Sequence, residues 1–138
     1  MLRLSREIHD QMIAHAHLGL PLEACGLFAG EPGTDDAAAV VRHFYPTENE
    51  ARSAKVYTVP GREHLRADRD AEARGWQLLG VMHSHTHTDA YPSPTDVAQA
   101  PDPDWHYVIV SMRDDLPSLR SYRIMDGGIS EEPVVLDD

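Results

Sequence analysis

Apolar residues first recur at helical spacing in Ile8, Met12, Ile13 and Ala16, with Ser5 suited to cap the helix start and Gly19 its end. The pattern predicts a helix from Ser5 to about Gly19. Pro21 opens a short buried run over residues 22–29, closed by Gly30, and residues 31–38 read as a surface loop. Enrichment in β-branched and aromatic side chains predicts strands at residues 40–45 and 55–59. Residues 61–74 are charged and helical in character, with Leu65, Ala67 and Ala71 as the inner side. Residues 76–82 form an apolar, strand-like run that ends on His83. Tyr91-Pro92-Ser93-Pro94 breaks this pattern, and a short helix is expected over residues 94–100. Residues 105–111 and 119–125 read as buried strands, and Asp126-Gly127-Gly128 signals a hairpin into a further strand over residues 129–136. Trp76 and Trp105 are expected in the core. The order predicts a mixed sheet with helices packed on it, of α/β or α+β class, in one domain spanning residues 1–138.

Composition narrows the functional classes. The chain has 138 residues, 41% hydrophobic and 25% charged, as one globular domain should. Its 23 acidic and 12 basic residues give a net charge of −11. That argues against binding to nucleic acid, which needs cations for the phosphates, and against anionic membranes. The single cysteine, Cys25, excludes an intramolecular disulfide and suits a reducing compartment. No apolar run approaches the roughly 20 residues that span a bilayer, and the start lacks a signal-peptide core. A soluble, cytoplasmic protein is expected. The oligomeric state is open, a homodimer included.

Three of the nine histidines fall in Val81-Met82-His83-Ser84-His85-Thr86-His87. Residues i and i+2 of a strand share a face, so His83 and His85 can offer two imidazoles to one point. Two neutral imidazoles, a third protein ligand and a water make a catalytic zinc site. Asp96, eleven residues after His85, is the candidate third ligand. A histidine pair at this spacing also arises by chance. Ser93, Pro94 and Asp96 have a purely structural reading too, as N-cap, first-turn proline and N3 acid of a helix. The two readings are compatible, since a helix start would fix Asp96 near the turn. A three-histidine site that includes His87 and leaves Asp96 outside is also conceivable, although His87 and Asp89 read better as loop residues at a cleft mouth. Cys25 is read as a small buried hydrophobe rather than a nucleophile.

The run His-Ser-His, seven residues, then Ser-x-x-Asp resembles the metal motif of the JAMM (MPN-plus) metalloproteases, with every signature position filled. Pro21-Leu22-Glu23-Ala24-Cys25-Gly26-Leu27 resembles the upstream glutamate segment of bacterial single-domain members. The similarity continues through Ala90-Tyr91-Pro92-Ser93, the segment from His106 to Ser111 and that from Leu119 to Ile124, so it covers most of the chain. It is nearest to the actinobacterial type that acts on ubiquitin-like sulfur-carrier proteins. The resemblance implies a curved, mostly antiparallel sheet flanked by helices, related to the cytidine deaminases. It implies one zinc per chain on His83, His85 and Asp96, with Glu23 as general base and Ser93 as hydrogen-bond donor to the oxyanion. The implied substrate is the C-terminal Gly-Gly tail of such a carrier, cleaved to release cysteine or a short extension and held in a shallow groove at a sheet edge. A deubiquitinase-like isopeptidase and a non-catalytic domain of the same fold are the alternatives. Other metal hydrolases fit poorly. A metallo-β-lactamase motif needs Asp where His87 stands, a cupin needs a glutamate just after the histidine pair, and a deaminase needs further cysteines.

Overall fold

The computed structural model describes residues 1–138. The Ser5 hydroxyl accepts the Ile8 N–H at 3.1 Å and caps helix α1 (Arg6–Gly19), whose Ile8, Met12 and Ala16 are buried as the spacing predicts. Ahead of it lies a strand the pattern does not reveal, β1 (Leu2–Ser5), four residues with Leu2 and Leu4 buried. There follow β2 (Cys25–Glu31), β3 (Ala39–Thr47), α2 (Gly61–Ala73), β4 (Gln77–His85), α3 (Pro94–Ala98), β5 (His106–Ser111), β6 (Ser118–Met125), β7 (Gly128–Glu132) and β8 (Val134–Asp137).

All eight strands belong to one sheet, in the order β7-β6-β5-β4-β2-β3-β1-β8. Pairing is antiparallel except for β4 with β5, β1 with β3 and β1 with β8. The two edge strands, β7 and β8, are separated in sequence by Pro133 alone. The sheet must therefore curl until its edges approach, a curved and nearly closed surface. Residues 129–136, expected as one strand, are split there, because proline has no N–H to continue a ladder.

Alternate residues of the central strands feed two cores. Phe28, Met82, Val108 and Val110 face α1 together with Leu2, Leu4 and Met12. Leu27, Val81 and Tyr107 face the other way, under Ala67 of α2 and with Trp105 and Tyr57 at the rim. From Val81 onward the alternation carries His83 and His85 to this second face. Gly80 allows β4 to lie against β5, since a Cβ there would stand 1.9 Å from the His106 carbonyl oxygen.

Other expectations need correction. Residues 55–59 form no strand, because their backbone groups are taken locally. The Asn49 side chain donates to Val56 O and accepts from Thr58 N, and the Ser53 hydroxyl accepts from Val56 N. Leu65 lies on the outer side of α2 and is exposed, while Ala67 and Ala71 are buried. Trp76 and Trp105 are half-buried at the rim of the core. No helix is long and apolar enough to cross a membrane.

Candidate metal centre

β4 is interior to the sheet, paired with β2 on one side and β5 on the other. This double pairing holds the backbone of His83 opposite Cys25 and Ile109. His85 is the last residue of the strand, opposite Ser111. Asp96 arrives through a helix start. The Ser93 hydroxyl accepts the Asp96 N–H at 3.1 Å, and Asp96 Oδ2 accepts the Ser93 N–H at 2.8 Å, a reciprocal capping box. Ser93-x-x-Asp96 thus caps α3 as its structural reading expects, and the same Asp96 Oδ2 faces the histidines. The Ser93 oxygen acts as acceptor in the cap, which leaves its O–H free to donate.

The three donor atoms converge. His83 Nε2 lies 3.2 Å from His85 Nε2, and Asp96 Oδ2 lies 3.2 Å and 3.0 Å from them. All three side chains are buried. A tetrahedral ion with bonds of about 2.0–2.1 Å spaces its ligand atoms by roughly 3.3 Å, so the triangle fits one ion with little adjustment. The tautomer also fits. His85 Nδ1 lies 2.7 Å from the Asp89 carbonyl and donates to it, which leaves Nε2 as a bare lone pair aimed at the group. His83 is held differently: its ring stacks on Tyr57 at 4.3 Å and 17°, and its Nδ1 has no hydrogen-bond partner. Burial holds the His83 imidazole below its ordinary pKa. Burial also acts against charge on His85, but the Asp96 and Asp89 hydrogen bonds outweigh it and raise that group. Burial alone would raise Asp96, yet its interactions with the two imidazoles hold it well below the carboxylate range. His87 is exposed and takes no part in the cluster.

Glu23 stands just before β2 and is fixed on both sides. Its N–H donates to Ser53 O at 2.8 Å and its carbonyl accepts from Asn49 Nδ2 at 3.0 Å. The next residue is clamped by Ser84, whose hydroxyl accepts the Ala24 N–H at 2.7 Å and whose own N–H donates to Ala24 O at 2.9 Å. The Glu23 carboxyl is buried, and its Oε1 has no partner. Desolvation pushes it up to about 7, with the charges of His85 and Asp96 acting in opposite directions. A carboxyl poised there can take and return a proton near neutral pH. Cys25 is fully buried, with Sγ 3.4 Å from Thr47 Oγ1, and burial pushes its thiol up to about 11. A thiol so placed is inert.

His83, His85 and Asp96 are brought together. The expected sheet edge is not there, because β4 has neighbours on both sides and the free edges are β7 and β8. Instead, a groove of about 330 Å³ runs along the same face of β4, lined by Leu27, Tyr57, Val59, Val81 and Trp105. A larger cleft, about 530 Å³ near Asp102, Asp104 and Arg123, lies at the opposite end of β4 and β5, so size alone does not mark the site. Tyr57, Asn49 and Ser53 carry no signal in the sequence. Ser84 does, as the residue between the two histidines.

A curved sheet that presents two histidines and an aspartate beside a buried glutamate is the architecture of a metal-dependent hydrolase. Residues 5–125 match the family described as prokaryotic homologs of the JAB domain. The CysO-cysteine peptidase of Mycobacterium tuberculosis is 44% identical over 135 residues, covering 97% of this chain and 90% of that protein. The desampylase of Haloferax volcanii is 32% identical over 115 residues, covering 80% of each. Among solved structures, a protein of Desulfitobacterium hafniense superposes with a TM-score of 0.91 at 36% identity, covering 100% of this chain and 94% of that one. A JAB1/MPN domain protein of Archaeoglobus fulgidus shares the fold, with a TM-score of 0.63 at 17% identity and coverage of 99% and 97%. The chain belongs to the prokaryotic JAB-domain family and is a peptidase of the JAMM/MPN type.

Proposed function

We propose that this peptidase hydrolyses the amide bond after the C-terminal Gly-Gly of a ubiquitin-like sulfur carrier, releasing cysteine or a short C-terminal extension. The observation that carries the reading is the convergence of His83, His85 and Asp96 beside a buried, unpaired Glu23. Its context is a chain 44% identical to a CysO-cysteine peptidase over 97% of its length. Residues 1–138 act as one catalytic domain.

His83, His85 and Asp96 hold one zinc ion. Bound there, zinc would supply Lewis acidity to a carbonyl oxygen and to a water near neutral pH. Glu23 takes the proton of the attacking water and returns it to the departing nitrogen, a cycle suited to a pKa of about 7. The free O–H of Ser93 donates to the carbonyl oxygen as it gains charge. The substrate's glycines add no side chain where the backbone must come close, and the apolar groove beside Val81 takes residues upstream of them.

The likeness to a desampylase favours a second reading, an isopeptidase acting on lysine-linked ubiquitin-like proteins. The test sets a Gly-Gly carrier bearing a C-terminal cysteine against a lysine-linked dimer, each followed by mass. Rapid loss of cysteine with slow cleavage of the dimer is expected. Glu23→Gln should lose at least about a hundredfold in rate while keeping the metal. Rapid cleavage of the dimer with an untouched cysteine adduct would move the function to the second reading.

A further inference from the structure

Past the end of β4 a second cleft opens, about 410 Å³, lined by His85, His87, Asp89, Tyr91, Ser93 and Arg113 among others. It shares His85 and Ser93 with the metal centre and no residue with the apolar groove. Along β4, the groove borders Val81, before His83, and the cleft begins at His85. A substrate whose carbonyl lies at the metal, with its upstream residues in the groove, therefore has its leaving group in this cleft.

The chemistry of the cleft is specific. Arg113 is the only Arg or Lys that lines it, in a protein of net charge −11. Its position is built. Met112 N–H donates to the His85 carbonyl at 2.9 Å, and Arg113 N–H donates to Ser111 Oγ at 3.3 Å. One guanidinium nitrogen, Nη1, donates to Asp89 Oδ1 at 2.6 Å. Asp89 in turn accepts from His85 Nδ1 through its carbonyl, so a ligand histidine and the arginine are tied to one residue. An exposed pair of this kind is worth about 1 kcal/mol or less. The remaining N–H groups of Arg113 have no partner within the protein, and a guanidinium can engage a carboxylate with two of them.

We propose that Arg113 binds the free α-carboxylate of the residue being released, and so selects a single amino acid joined to the carrier through its α-nitrogen. The proposal rests on the Gly-Gly carrier reading above. In such a substrate the carboxylate is separated from the scissile nitrogen by one carbon, which keeps it beside Ser93 and His85. A lysine-linked partner would put an uncharged four-carbon chain in the same place. Hydrolysis adds the water oxygen to the glycine carbonyl carbon, breaks the C–N bond and moves a proton to the nitrogen. The products are a carrier carboxylate and a free amino acid whose carboxylate Arg113 holds until release.

The experiment uses the metal-loaded enzyme and two carriers ending Gly-Gly-Cys, one with a free C-terminal carboxylate and one with a carboxamide. Wild type should prefer the carboxylate by about tenfold or more in kcat/KM, mostly through KM. Arg113→Gln should lose that preference and cleave the two carriers at equal rates. Arg113→Lys, which keeps the charge but not the fork, should restore part of it. Equal cleavage of both carriers by wild type, or a preference that survives in Arg113→Gln, overturns this inference and leaves the carrier reading intact. Cleavage of neither overturns both.

Discussion

Ser84→Ala tests how Glu23, the proposed general base, is held. The Ser84 hydroxyl is fully buried and is the acceptor for the Ala24 N–H at 2.7 Å. At that point of the β2–β4 ladder a side chain does the work of a main-chain carbonyl. Alanine removes one oxygen and leaves the N–H buried without a partner, a cost of about 1–3 kcal/mol. Total stabilities of such domains are about 5–15 kcal/mol, so the variant should remain folded. Its melting temperature should fall by about 4–12 °C. His83 and His85 keep their pairing with β5, so metal content should not change. Glu23 adjoins the freed Ala24, and a displacement of about 1 Å at a reacting group costs up to roughly a hundredfold in rate. Thermal unfolding, metal analysis and kcat at saturating substrate give the three readouts. Wild-type kcat in a destabilised variant, or loss of metal, would refute the idea that Ser84 acts by positioning Glu23.

Three further outcomes follow from the geometry. Asp96→Ala and His85→Ala should each lose most of the bound metal, whereas His87→Ala, altered only at an exposed residue, should keep it; elemental analysis of the purified variants decides. Cys25→Ser should stay active, since its buried thiol, with a pKa near 11, is no nucleophile and Thr47 can accept the new hydroxyl. Glu132 is buried; burial would raise it, but hydrogen bonds from His106 at 2.6 Å and Ser121 at 2.8 Å lower it to about 2. A depressed carboxylate stabilises fully above its unfolded pKa, near 4.5, and progressively less as pH falls towards 2. Urea titrations should therefore show wild type losing about 1.5–3 kcal/mol relative to Glu132→Gln between pH 5 and pH 2.5, and parallel curves would contradict the pairing.

The metal cluster was legible because its signals are local. His83 and His85 sit at the end of a clear apolar run, and Ser93, Pro94 and Asp96 carry a helix-start pattern whose side chains are the ones used. α1 and α2, β5 and β6 were legible from period and β-branching. The short β1 escaped because four residues carry too little pattern, and its partners lie at Ala39 and Val134. Residues 55–59 misled because β-branched content reports a preference for extended backbone, not the presence of a partner, and Asn49 and Ser53 supplied the hydrogen bonds instead. Resemblance alone pointed to Glu23. Its burial without a partner is a tertiary fact that depends on Asn49 and Ser53 of one loop and on Ser84 of β4. The cleft with Arg113 was illegible for the same reason.

Sequence distance within the site also orders its assembly. His83 and Asp96 are 13 positions apart, whereas Glu23 precedes His83 by 60. Closing the longer loop costs about 1 kcal/mol more, and the ladder that rewards it, between β2 and β4, is itself non-local. The donor triangle can therefore form on β4, β5 and α3 while β2 is still unpaired. A chain that folded in that order would gather its three donor atoms before it placed Glu23 near them.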